Sequence, residues 1–178
     1  VVSYEHNGAT LTVTPSVKGR ATIFDADILI FCISQLMAAL NQGRAVSRKL
    51  SLTAHDLLQA TNRETSGDGY KRLREAFERL AGTRISTNVT TGGKEIFETF
   101  GLIESARIVR ETRDGRMQEI EIKLSDWVFN AIRAHEVLTI SRDYFRLRRP
   151  LERRLYELAR KHCGNQREWV VGLDLLQK

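Results

Sequence analysis

The sequence predicts an α+β fold, on three observations. Apolar residues recur with a helical period in stretches between about 25 and 81, and after Gly82 the period changes to alternating, cleanly so in "QEIEIKLS". Dipeptide turn signals separate those alternating runs. In "SYEHNGATLTVT", Asn7-Gly8 lies between two β-prone stretches, and Asn-Gly tolerates the positive φ that a two-residue hairpin demands. "FDADILIFCISQLMAALNQG" reads as a buried central helix, capped by Asp25, ended by Gly43 and apolar around most of its circumference. A short strand, Leu50 to Leu52, leads into a helix from Ala54 to about Asn62. Thr53 and Asp56 at its start have the spacing of a reciprocal capping box. A further helix is expected from about Asp68 to Ala81.

After Gly82, "TRISTNV" puts Ile85, Thr87 and Val89 on one strand face and Arg84, Ser86 and Asn88 on the other. "TTGGKE" is a turn and "IFETFGLIESARIVRE" a long extended segment. Asp114-Gly115 signals a second hairpin before "QEIEIKLS". Together these pieces predict a three-stranded antiparallel meander. Ser125 then caps "DWVFNAIRAHE", a helix expected to turn Trp127, Val128, Ala131 and Ile132 inward. Hairpin, long helix, short strand, two short helices and a β-ribbon is the order of a winged helix-turn-helix domain with an antiparallel wing.

A chain of 178 residues can hold one full domain and part of a second. Two cysteines are too few for a disulfide framework or a zinc cluster, which fits a reducing cytoplasm. The longest apolar run, Ile28 to Ile33, is too short to span a bilayer, and no signal peptide is expected before it. The net charge of +6 is unevenly spread. Eight basic and three acidic residues lie between Arg142 and Lys161, so an acidic partner, foremost nucleic acid, is expected.

The glycines of "TSGDGYKRLREAFERLAGTRIS" do not form a phosphate loop. No strand precedes Gly67, and the spacing of neither the Walker nor the dinucleotide motif is met. The stretch reads instead as a recognition helix. Leu73, Ala76, Phe77 and Leu80 form its apolar stripe. Lys71, Arg74, Glu75, Glu78 and Arg79 lie opposite, with Arg72 at the border. Thr65 and Ser66 stand at its N-terminus, where small residues and free amides can meet phosphate oxygens. Arg84, Lys94, Arg110, Arg113 and Arg116 add cations along the expected wing. An ordinary surface helix held by pairs such as Glu75 with Arg79 is the competing reading.

In "SRDYFRLRRPLERRLYELARKHCG", Pro150 opens a helix with apolar residues Leu151, Leu155, Leu158, Ala159 and His162, and Gly164 stops it. Arg153 and Arg154 fall outside that stripe and join the nucleic-acid-binding candidates. "REWVVGLDLLQK" reads as a strand opening into a helix, and the chain as a fragment of a longer protein. His6, His55, His135 and His162 are isolated, and no carboxylate pair stands out as an acid/base couple. No catalytic residue, metal or cofactor is expected.

The segment "LTISRDYFRLRRPLERRLYELARKHCG", with the apolar helix, the capped helix and "GYKRLREAFERLAGTRIST" before it, resembles the plasmid replication initiators of the replication initiator protein A group. The resemblance implies tandem winged-helix domains: residues 1–140 as the first, and 141–178 as a linker helix and the start of the second. It further implies double-stranded DNA at a plasmid origin, with repeated sites (iterons), as the partner. A homodimer and host replication proteins are implied as well. A winged-helix dimerisation module and a transcriptional regulator without a replication role stay open as alternatives.

Overall fold

Asn7 and Gly8 take φ of 51° and 79°, the pair of positive values a tight hairpin needs. They join β1 (Val2–His6) to β2 (Ala9–Thr14), paired from Val2 with Val13 to His6 with Ala9. The computed structural model describes residues 1–88, 90–91, 94–110 and 117–176; for residues 90, 91, 94, 95, 110, 117 and 118 it describes the backbone only. The chain divides into two compact units, Val1–Val137 and Leu138–Lys178.

Helix α1 (Ala26–Asn41) buries Ile28, Leu29, Cys32 and Leu36, and Gly43 at φ 69° ends it. The expected cap at its start is different in kind. The Asp25 carboxylate does not cap the helix; it accepts from the Thr22 amide, while the Asp25 amide donates to the Thr22 hydroxyl. Strand β3 (Lys49–Thr53) runs into α2 (Ala54–Ala60), where the Thr53 hydroxyl accepts from the Asp56 amide at 3.1 Å. Asn62, at φ 54°, breaks the helix, and α3 (Gly67–Gly82) follows with Leu73, Ala76, Phe77 and Leu80 buried as the period required.

The strands expected as one meander are divided between two sheets, and the turn between the first two forms a small two-stranded sheet of its own. Strand β4 (Arg84–Thr87) is followed by the small hairpin β5 (Thr90–Thr91) and β6 (Lys94–Glu95), then by β7 (Glu98–Gly101). A four-stranded sheet runs β1-β2-β4-β7, so the N-terminal hairpin pairs with β4 rather than standing apart. The long segment predicted as one strand divides at Leu102 into β7 and β8 (Ile103–Arg110). Crowding marks the break: a Cβ on Gly101 would lie 2.9 Å from the Ile103 carbonyl oxygen. Strand β8 pairs with β9 (Met117–Leu124), which pairs with β3, in a separate three-stranded sheet. The Asp114-Gly115 turn signal between them lies outside the described residues.

Ser125 caps α4 (Asp126–Arg133), its hydroxyl accepting from the Val128 amide, and His135 at φ 56° follows the helix end. Val128 and Ile132 enter the core. Trp127 does not. It is half-exposed and stacks on Phe100 of β7, centroids 5.0 Å apart. Helices α1, α2, α3 and α4 thus pack with Ile103, Ile120, Ile122 and Leu124 of the β3-β9-β8 sheet around one apolar core. Helix, strand, helix, helix and a two-stranded wing closing on that strand is the winged-helix topology.

In the second unit a 3₁₀ turn (Arg142–Arg146) precedes α5 (Pro150–Cys163), with Pro150 in the first turn, and a short α6 (Leu173–Leu176) ends the described chain. The stretch before α6 forms no strand. Nor is the expected stripe of α5 a core: Leu151 is 69% exposed and Leu155 39%. No helix among the described residues is long and apolar enough to cross a membrane.

Gly69 sits where the loop before α3 presses on the helix. A Cβ there would fall 1.8 Å from the Glu64 carbonyl oxygen, whereas one on Gly67 would meet nothing within 4 Å. Gly69→Ala is expected to destabilise the fold by about 2–3 kcal/mol in urea unfolding, with Gly67→Ala close to neutral as its control.

Candidate nucleic-acid interface

The second helix of a helix-turn-helix offers one face to its own domain and the other to DNA, so the exposed side of α3 is the place to begin. Lys71, Arg72 and Arg74 are all exposed there. None of the three has a carboxylate within 4.0 Å among the described residues. Thr65 and Ser66 are exposed at the helix start. Ser66 occupies the N-cap position in extended backbone, and its hydroxyl makes no capping bond. The face is not purely cationic. Asp68 is in the first turn, and Glu78 reaches Lys18 at 3.8 Å.

Arg79 is a correction to the predicted set. Its guanidinium grips the Asp25 carboxylate with two hydrogen bonds of 2.8 Å, and the Asp25 side chain is only 3% exposed. An arginine held bidentately against a buried carboxylate ties α3 to the start of α1 and is not available to a phosphate. Burial pushes the Asp25 carboxyl up, but hydrogen bonds from Arg79 and Thr22 and the charge of Arg79 outweigh it, leaving Asp25 below its ordinary 3.8. Arg63 adds a second tie, donating to the Phe24 carbonyl from the loop ahead of α3.

The wing cations separate. Arg84 is exposed, but β4 belongs to the four-stranded sheet and not to the β8-β9 wing. Its guanidinium donates to the Thr99 carbonyl at 3.3 Å, in an open cleft of about 310 Å³ that Arg48, Phe100 and Trp127 also line. Lys94 and Arg110 have described backbone only, at β6 and at the end of β8, and Arg113 and Arg116 lie outside the described residues. The base of the wing is charge-balanced: Glu104 accepts from Arg48 and from Lys123, both at 2.6 Å, while Lys49 and Arg107 flank Glu121.

Arg153 is the second correction. Outside the apolar stripe, it is nonetheless 3% exposed, lies 4.9 Å from the Tyr144 ring centroid and donates to the Leu147 carbonyl. Its long stem and planar head make it a packing residue here. Arg154 is exposed and pairs with Glu157 at 3.5 Å.

The family model of replication initiator protein A matches residues 1–178, the whole chain. The chain belongs to the replication initiator protein A family. A putative replication protein of Wigglesworthia glossinidia brevipalpis is 40% identical to this family member over 177 residues, covering 97% of the chain and 64% of that relative. The chain therefore spans a little under two thirds of that relative's length. Crystal structures of RctB domains 2 and 3 superpose with a TM-score of 0.71 over 99% of the chain and 68% of theirs, and 0.68 over 94% and 72%, both at 16% identity. At that identity the likeness is one of fold.

The Asp25–Arg79 pair yields a test with a defined sign. Because the folded-state pKa of Asp25 is lowered, its ionised form contributes stability that is full above 3.8 and is lost as pH falls through the folded value. Asp25→Asn is expected to cost on the order of 2 kcal/mol near neutral pH, less than the roughly 3–5 kcal/mol of a fully buried broken pair, because Arg79 retains access to water. In unfolding titrations the gap from wild type should narrow as pH drops below that range.

Proposed function

We propose that the protein is a non-catalytic, DNA-binding plasmid replication initiator that engages repeated sites at an origin through α3. The observation that carries this reading is the exposed face of Lys71, Arg72 and Arg74, without a carboxylate partner among the described residues, on the second helix of a helix-turn-helix. Phosphate contacts of this kind position a recognition helix and supply most of the affinity, while bases are read by neighbouring side chains. Thr65 and Ser66 stand where the helix start approaches the backbone of the duplex. Membership of the replication initiator protein A family supports origin DNA as the partner. Action in the cytoplasm, a homodimeric form and recruitment of host replication proteins belong to the same proposal. So does the reading of 141–178 as a linker helix and the opening of a second winged-helix domain.

The test is the dependence of binding on salt. With about six phosphates neutralised, log K against log salt should fall with a slope near −5 for the wild type. Replacing Lys71, Arg72 and Arg74 together with alanine should flatten that slope by about 2.7, because each lost contact removes about 0.9. A triple variant that binds with an unchanged slope while failing to dimerise would instead favour a dimerisation module.

A further inference from the structure

Of the two arginines that sequence patterning assigned to DNA in the second unit, Arg153 is buried, and the structure brings a further exposed set forward. The 3₁₀ turn and the residues joining it to α5 carry Arg142, Arg146, Arg148 and Arg149, all exposed, against a single acid, Asp143. Arg146 and Arg149 are 78% and 84% exposed, and they form solvent-exposed ion pairs with Asp143 and Glu152 at 3.3 and 4.0 Å, of a kind that contributes little. Among the described residues, Arg142 and Arg148 have no carboxylate within 4.0 Å.

A run of arginines is often only a solvated surface. This one rests on a built base. Arg160 donates to the Thr139 carbonyl at 3.0 Å, and the Tyr156 hydroxyl accepts from the Ser141 amide at 3.0 Å. Tyr144 is buried, donating its hydroxyl to Glu157 at 2.5 Å, and the buried Arg153 holds the Leu147 carbonyl at 2.8 Å. Four side chains of α5 therefore pin residues 139–147 at successive points. A pinned backbone lowers the conformational entropy lost when its arginines engage a ligand.

We propose that this arginine turn, 142–149, is a second phosphate-backbone contact for nucleic acid, separate from α3. The proposal rests on the nucleic-acid reading above. Planar guanidinium forks match phosphate oxygens bidentately, and a net charge of +3 over eight residues suits a polyanion. Within the turn itself no apolar side chain is fully exposed: Tyr144 is buried, and Phe145 and Leu147 are half-buried. Contacts to phosphate carry no base information, so this surface raises affinity for any duplex equally.

The experiment compares the full chain with Arg142→Ala/Arg148→Ala, using fluorescent duplexes of two unrelated sequences. Both side chains are exposed and unpaired, so the melting temperature should stay unchanged. The expected result is a salt slope flatter by about 1.8 and binding weaker by about 30-fold near 0.15 M salt, equal on both duplexes. Arg142→Lys/Arg148→Lys should keep the slope. An unchanged slope overturns the proposal, as does a loss confined to one sequence. Retained duplex binding with lost binding to phosphatidylserine vesicles assigns the turn to a membrane and likewise overturns it. The alanine triple in α3, run in parallel, separates the two surfaces. If only the triple changes the slope, the turn is no contact. If only the double does, the turn stands and α3 is wrongly placed. A wild type that binds neither duplex defeats both.

Discussion

Asp25 and Arg79 join the entry of α1 to the C-terminal half of α3, and the seating of α3 in the winged-helix unit depends on that junction. Asp25 is nearly inaccessible, so an unpaired carboxylate there would be costly. The geometry offers no substitute: Thr22 satisfies one oxygen in part, and Arg79 takes both. Arg63 repeats the tie one residue away, on the Phe24 carbonyl. Apolar packing by Leu73, Phe77 and Leu80 is non-directional and tolerates a helix that rotates or slides. The ionic clamp does not, and so it sets the direction in which Lys71, Arg72 and Arg74 face.

Arginine does two jobs in this chain. Arg79 and Arg153 are spent on architecture, one against a buried carboxylate and the other across an aromatic ring. Among the described residues, Lys71, Arg72, Arg74, Arg142 and Arg148 have no carboxylate within 4.0 Å. The base of the wing shows a third arrangement, in which Arg48, Lys123 and Glu104 neutralise one another on the surface; such exposed pairs contribute little stability. The net charge of +6 therefore says less about a binding surface than the element on which each exposed cation stands.

The separation of the β1-β2-β4-β7 sheet from the β3-β9-β8 sheet also decides where side chains lie. By leaving the wing at Leu102, the chain sends β4 and β7 to the N-terminal hairpin and frees Phe100 to receive Trp127. Strands β8 and β9 remain beside β3 in a sheet of their own. Arg84 leaves with β4, which detaches it from the wing cations it was grouped with.

Local chemistry in the sequence determined the elements and most of their ends. Asn7-Gly8 specified a hairpin, Thr53 and Ser125 specified caps, Gly43 and Gly164 specified stops, and the 3.6-residue stripe of α3 specified which side is buried. Each depends on backbone sterics or on neighbours within a few residues, so it can be read without the fold. Tertiary structure alone decided the sheet partners, the outward turn of Trp127 and the fate of each arginine. Periodicity shows which face of a helix is polar but not whether a carboxylate 54 residues away, as Asp25 is from Arg79, arrives to meet it. Long-range pairing depends on where the chain returns in space, and no local pattern encodes that.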